Sequence, residues 1–237
     1  MQRHLMTFKH PRQFTIYALL TLVLTLTACN DSSSTPTAQQ LISKAQAAIL
    51  KVSSYHFNLT ADNPGAGDSL FAIKSADGDI LVPDKLKANA NAIAMGNIVQ
   101  VKIVAIGQKQ YVTDPVTGNW NQTSALLDPR TLSDPQTGVA AILGHIQNPS
   151  TPSDGSVDNT SCWNINGQLD TRYLTGIVGT DITPGTMLSV TACIGKTDNL
   201  PYLIRINGIA IKGDTDKTVR TFKLSKFNET LTITAPI

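Results

Sequence analysis

The sequence predicts an α+β domain in which helices lie on one face of an antiparallel sheet. Three observations predict it. From Tyr55 onward, apolar residues recur with period two in segments joined by short turns rich in Gly, Asp, Asn and Pro. Ahead of them, residues 37–52 carry a helical period. In mid-chain, Asp128-Pro129 and Asp134-Pro135 each place a capping acid before a proline, the mark of a helix start.

The first residues do not belong to that domain. Arg3, Lys9 and Arg12 precede any acid, and an apolar run follows from Phe14 to Leu26. At about 13 residues the run is too short for a membrane span, which needs about 20. It closes on Leu26-Thr27-Ala28-Cys29, a lipobox. The expectation is a cleaved lipoprotein signal peptide over 1–28 and a diacylglycerol on the Cys29 thiol. A flexible tether over 29–36 and a single domain over 37–237 then follow. The expected location is extracytoplasmic, anchored to a bacterial cell membrane through Cys29.

The whole chain has 19 Lys and Arg against 17 Asp and Glu. Removing 1–28 takes three of the basic residues and no acid, leaving a net charge of −1. The excess basicity is therefore a targeting charge. No basic patch is left for nucleic acid, so no nucleic-acid partner is expected. With Cys29 assigned to the lipid, Cys162 and Cys193 remain. An even remainder in an oxidising compartment favours one disulfide over two buried thiols. Their spacing and the lack of further ligands exclude a metal site, and no cofactor is implied.

Thr37 and Gln40 form a capping box that opens the first helix. Leu41, Ile42, Ala45, Ala48, Ile49 and Val52 make one face, and Ser43, Lys44, Gln46 and Lys51 the other. Such a face covers a sheet. Strands are then expected at Tyr55–Ala61, Ser69–Ala76, Gly78–Val82, Lys85–Met95, Ile98–Ile106 and Gln108–Thr113, turning at Asn63-Pro64-Gly65, Asp77-Gly78, Pro83-Asp84, Gly96-Asn97 and Gly107, with Trp120 beginning a return. A one-turn helix follows Asp128-Pro129. A longer one runs from Asp134-Pro135 to about His145, with Val139, Ile142, Leu143 and Ile146 on one face. After a polar loop, Val157–Gly167 reads as a strand. Asp170 then caps a short helix whose Tyr173, Leu174, Ile177 and Val178 face inward, and Gly179–Thr186 is a loop or flap. The last strands are Met187–Ile194, Tyr202–Ile211, Thr218–Phe227 and Thr230–Ala235.

One strand departs from ordinary core composition. Ala88, Ala90, Ala92 and Ala94 occupy one phase of it, while Lys87, Asn89 and Asn91 occupy the other. A helix-covered sheet normally fills that face with Val, Ile and Leu. Four alanines leave space, either for a helix approaching closely or for an apolar ligand. The next strand is aliphatic at both phases except at Gln100 and Lys102, and would wall such a space.

No catalytic arrangement is visible. The chain lacks Gly-x-Ser-x-Gly, a phosphate loop, His-Glu-x-x-His and Cys-x-x-Cys. His56 is expected to bond a neighbouring side chain, and His145 to sit at a helix end. An enzyme is not expected.

A series of short motifs is more specific than any one of them. It comprises Tyr111-Val112-Thr113-Asp114-Pro115, Gly118-Asn119-Trp120, Leu127-Asp128-Pro129, Leu132-Ser133-Asp134-Pro135, Gly138-Val139, Leu200-Pro201-Tyr202 and Leu224-Ser225-Lys226-Phe227-Asn228. In this order, behind a lipobox, the series resembles the LppX–LprAFG lipoproteins over roughly residues 40–235. The resemblance implies a strongly curved half-barrel like that of the lipoprotein carriers LolA and LolB, with helices over its concave side around an apolar cavity. It implies a ligand that is a lipid or glycolipid, bound by its acyl chains and moved within the envelope. A monomer is expected, with an envelope transporter as a further partner. The cavity walls would be Ala88, Ala90, Ala92, Ala94, Val99, Val101, Ile103, Val139, Ile142, Leu143, Leu174 and Ile177. The alternatives are an envelope scaffold with a filled core, and a ligand-sensing lipoprotein.

Overall fold

A computed structural model describes residues 35–237 apart from 67–70, 124–128 and 179–181. Residues 1–28, Cys29 and most of the tether lie outside the described residues. So do Leu127-Asp128, the start of the strand expected from Ser69, and part of the Gly179–Thr186 loop.

The chain begins with helix α1 (Ala38–Ile49). Its capping box forms as expected: the Gln40 N–H donates to Thr37 Oγ1 at 3.3 Å, and the Thr37 N–H to Gln40 Oε1 at 3.0 Å. Strands β1 (Ser54–Asp62), β2 (Phe71–Leu81), β3 (Lys85–Ala94), β4 (Asn97–Ile106), β5 (Lys109–Thr113) and β6 (Trp120–Thr123) follow as a meander. Helices α2 (Pro129–Ser133) and α3 (Val139–Gly144) come next. The second half holds β7 (Ser153–Val157), β8 (Thr160–Asp170), a 3₁₀ turn over Thr171–Leu174 leading into α4 (Thr175–Val178), β9 (Met187–Gly195), β10 (Pro201–Asn207) and β11 (Val219–Ser225).

All eleven strands form one antiparallel sheet in the order β6-β5-β4-β3-β2-β1-β11-β10-β9-β8-β7. The pairing of β1 with β11 joins the two meanders. The outermost strands, β6 and β7, do not pair, so the sheet is not closed. A flat sheet of this size would be about 50 Å wide, yet Ile103 on β4 and Ile165 on β8 share one core with α1 and α3. The sheet must therefore curl around the helices as a half-barrel. On its concave side α1 meets α3, where Gln46 Nε2 donates to the Ala140 carbonyl at 3.0 Å.

Four expectations are corrected. Asp77-Gly78 is not a turn, because β2 runs straight through it. A Cβ on Gly78 would lie 2.6 Å from Ala88 Cβ and closer still to the Lys87 carbonyl, so glycine here permits close strand approach. The second helix starts at Val139; Asp134 instead caps the preceding turn, accepting from the N–H groups of Gln136 and Thr137 at 2.7 and 3.2 Å. The polar segment before Val157 contains edge strand β7, joined to β8 by Asp158 and Asn159, both at positive φ (45° and 71°), as a tight hairpin requires. Residues 230–235 are not a strand. This tail places Ile233 over Val104 and Tyr111, which face outward. That cover explains why β4 is aliphatic at both phases.

Two covalent or ionic ties fasten the C-terminal half. Cys162 and Cys193 form a disulfide between neighbouring strands β8 and β9, with Cα atoms 5.5 Å apart. Asp214, between β10 and β11, is fully buried and forms a bidentate pair with Arg220 at 2.7 and 2.8 Å. Its carboxylate also accepts the N–H groups of Gly65, Ala210 and Ile211.

Candidate functional site

Cross-strand register defines the concave face row by row. The row nearest the end of α1 is Tyr55–Ile80–Leu86–Ala105, followed by Phe57–Gly78–Ala88–Ile103 and Leu59–Ala76–Ala90–Val101. The fourth row is Ile73–Ala92–Val99. On β2 and β3 the second and third rows, together with Ala92, are built entirely from Gly78, Ala76, Ala88, Ala90 and Ala92. This is a lane of small residues two strands wide and about 14 Å long. Phe57 and Leu59 border it on one side, and Val101 and Ile103 on the other. Ile80 and Leu86 close it at the Tyr55 end.

The alanines expected to face inward do so. Ala88, Ala90 and Ala92 are buried and Ala94 is half-buried, whereas Lys87 and Asn89 point to solvent. The structure brings Ala88, Ala90, Ile103, Val139, Ile142, Leu143 and Leu174 into one apolar core, with Val101 and Ile177 packed against it. Ala92, Ala94 and Val99 are not part of that cluster as described. Sequence reasoning missed Ala76 and Gly78, which complete the lane from β2. Reading Asp77-Gly78 as a turn hid their phase.

Short helix α2 packs onto β3, and its Leu132 is buried in the same core. Around α2 lies a cavity of about 30 Å³, bounded by the end of α1 (Ile49, Leu50), Val52, Tyr55, Val82, Leu132, Ser133, Val139 and Ala140. This has room for a small polar group, but not for an acyl chain. Of the residues expected to line a cavity, only Val139 borders this one. A larger recess of about 500 Å³, lined by Ala61, Asp62, Asn63, Pro64, Lys74 and Ile93, lies at the opposite end of β1–β3.

Two polar atoms in the smaller cavity are unpartnered. Tyr55 is 2 % exposed, and neither its hydroxyl nor that of Ser133 makes a hydrogen bond. Burial pushes the Tyr55 phenol up, and the nearby Ser133 hydroxyl offsets only part of that shift. At neutral pH the phenol therefore keeps its proton and remains a donor.

The histidines lie elsewhere. His56, on the outer face, has its Nδ1 2.8 Å from Asp79 and its Nε2 3.2 Å from Asp77, the neighbour-bonded state expected of it. His145 caps the end of α3, exposed, and stacks on Tyr173 with ring centroids 3.7 Å apart. Among the described residues no group of His, Cys, Asp and Glu is placed to hold a metal. No described helix is long and apolar enough to cross a membrane.

This fold has relatives among known proteins. The chain is 21% identical over 221 residues to LprF of Mycobacterium tuberculosis and of Mycobacterium bovis, matching 90% of this chain and 82% of LprF, which is named as a candidate diacylated glycolipid transporter. The crystal structure of LprF from M. bovis superposes with a TM-score of 0.67 at 21% identity, covering 84% of this chain and 96% of that one. That of LppX from M. tuberculosis superposes with a TM-score of 0.61 at 19% identity, covering 83% and 98%. At such identities the likeness establishes the fold. The family model LppX_LprAFG lipoprotein matches residues 37–233, and the chain therefore belongs to the LppX_LprAFG lipoprotein family.

Proposed function

We propose that this protein is a membrane-anchored carrier that binds the acyl chains of a lipid or glycolipid on the concave side of its half-barrel and helps move that lipid within the cell envelope. The observation that carries the reading is the lane of Gly78, Ala76, Ala88, Ala90 and Ala92 on the concave face of β2 and β3. Five small residues on the inner face of two central strands leave space that larger aliphatics would occupy. Among the helices, the five-residue α2, joined to α3 through a capped turn, packs onto β3. Displacing α2 would open a trough bordered by Phe57, Leu59, Val101 and Ile103. Family membership and the name of the LprF relatives support the same reading.

Binding of this kind relies on removing hydrocarbon from water, worth about 0.8 kcal/mol per CH₂. A 16-carbon chain gains on the order of 10 kcal/mol before the costs of ordering it and of moving α2. No catalytic residue is required. The domain over 37–237 would work close to a bilayer, tethered by residues 29–36 to a diacylglycerol on Cys29 after removal of 1–28. Binding requires no cofactor, and a monomer suffices.

Protein produced without its anchor and purified from a bacterial host is expected to carry lipid detectable by mass spectrometry, and to take up a fluorescent fatty-acid probe once delipidated. Clean apo protein that repeatedly takes up no probe would refute the carrier reading. A Cys29→Ala chain is expected to leave the membrane fraction and keep its cargo. Loss of both would show that anchor and cargo are not independent.

One observation favours a second reading. The hollow around α2 holds only about 30 Å³, close to the packing of a filled core. An envelope scaffold or ligand-sensing lipoprotein with a permanent core would look like this and bind no lipid.

A further inference from the structure

The structure points to a polar anchor at the closed end of the alanine lane: we propose that the hydroxyls of Tyr55 and Ser133 donate hydrogen bonds to the acyl-ester carbonyls of a diacyl glycerolipid. This rests on the carrier reading and adds to it a recognition element for the ligand's ester groups.

Buried hydroxyls are rarely left without partners, because each forfeits the hydrogen bonds it makes in water. Here two orphans border one cavity whose other walls are almost entirely aliphatic. One comes from β1 and the other from the last residue of α2, far apart in sequence. Neither hydroxyl carries structure. Tyr55 ties no loop, and Ser133 does not cap its helix, whose carbonyls at Arg130 and Thr131 are bonded by the Asp134 N–H and the Thr137 hydroxyl. What the pair offers is two neutral O–H donors in an apolar setting, with Tyr55 on the same concave face as the lane. Ester carbonyls of a diacylglycerol are two neutral acceptors at the head of two hydrocarbon chains. The chemistry matches in number, charge and polarity, and chains running from that point along the strands would lie on Ala88 and Ala90. Because Ser133 belongs to α2, an element that packs on β3 also contributes one of the two donors.

The test compares two lipids with the same chains and the same free hydroxyl. One is 1,2-dipalmitoylglycerol, a diester. The other is 1,2-dihexadecylglycerol, a diether lacking both carbonyls. Full-length protein is loaded from mixed micelles with each in turn, and retained lipid is measured by mass spectrometry. The wild type is expected to prefer the diester by about tenfold or more, the worth of one to two net hydrogen bonds. Tyr55→Phe and Ser133→Ala are each expected to weaken diester binding about fivefold to tenfold and to leave diether binding unchanged. In the lipid-free protein both substitutions delete an unbonded hydroxyl, so thermal unfolding should stay at or above that of the wild type. That readout separates a lost anchor from a damaged fold. Equal retention of diester and diether by the wild type overturns the anchor while leaving the carrier reading intact. So does undiminished diester binding by both variants, as expected if the cavity merely houses a bridging water. Retention of neither lipid by any form overturns both.

Discussion

Replacing Asp214 by Ala lowers the unfolding free energy by about 3–5 kcal/mol, the cost of leaving a buried guanidinium without its counter-ion. The carboxylate is fully buried, the Arg220 side chain is 8 % exposed, and the pair is bidentate. Removing Asp214 also frees the N–H groups of Gly65, Ala210 and Ile211, all bonded to it. Gly65 follows β1 and Ala210 follows β10, so one side chain ties the central strands to the β10–β11 connection. With total stabilities of about 5–15 kcal/mol in such domains, the loss is a large fraction. Melting should fall by roughly 6–20 °C, at about 2–4 °C per kcal/mol for this size. Asp214→Leu combined with Arg220→Met should recover much of the loss, because no orphan charge remains. Burial alone would raise the carboxyl's pKa, but hydrogen bonds from Arg220 and from the backbone at Gly65 and Ile211 outweigh it and hold the group below the usual carboxylate range. A group depressed in the folded state stabilises fully above its unfolded pKa, about 3.9, and loses that contribution as pH falls through the folded value. Urea unfolding of the wild type should therefore weaken below about pH 4. The Asp214→Leu/Arg220→Met double variant should lack that part of the acid sensitivity. A single Asp214→Ala variant within 1 kcal/mol of wild type at pH 7 would show that the pair contributes little.

What was legible in the sequence, and what was not, follows from where each signal resides. The capping box of Thr37 and Gln40 and the face of Leu41, Ile42, Ala45 and Ile49 are local, and α1 formed as read. The alanine phase of β3 is also local, and its burial followed. Edge strand β7 has a single aliphatic residue, because an edge with little beneath it needs no apolar alternation. Conversely, Thr230–Ala235 alternates without joining the sheet. Both sides of β11 are occupied, by β1 and β10, and Ile233 instead covers the outward-facing Val104 and Tyr111. Gly78 sits in a dipeptide that usually turns, but contact with β3 decides its role. The same holds for the lane and the hydroxyl pair. Ala76 matters only because register sets it opposite Ala90, and Ser133 only because α2 folds back toward Tyr55. Such juxtapositions exist in the register and not in any segment. The pairing of Asp214 with Arg220 was hidden for a different reason: Gly213-Asp214-Thr215-Asp216 reads as an exposed turn.

The alanine lane makes the sharpest functional prediction, because one substitution separates a carrier from a filled-core scaffold. Ala90→Leu is expected to abolish lipid retention, lowering it at least tenfold, and to cost about 1–3 kcal/mol of stability. Ala90 is 1 % exposed, lies in the row Leu59–Ala76–Ala90–Val101 and belongs to the core shared with the helices. The 30 Å³ hollow lies around Tyr55 and Ser133 and does not border Ala90, so the added methyl and methylene groups have nowhere to go without moving a helix. That strain accounts for the stability term, and both readings share it. They differ in what the lipid does. If acyl chains lie on this face once α2 is displaced, the leucine occupies their volume, and the loss of binding exceeds anything the modest destabilisation explains. Asn89→Leu is the control: the same side chain one residue away points to solvent, where substitutions usually stay within about 0.5 kcal/mol, and lipid retention should be unchanged. Measured together, retained lipid and melting temperature give a distinct pattern for each case. An Ala90→Leu protein that melts lower yet retains lipid like wild type would move the binding site off the lane. A wild type that retains none, with Ala90→Leu only destabilised, would leave the alanines the simpler role of letting a helix come close to a sheet.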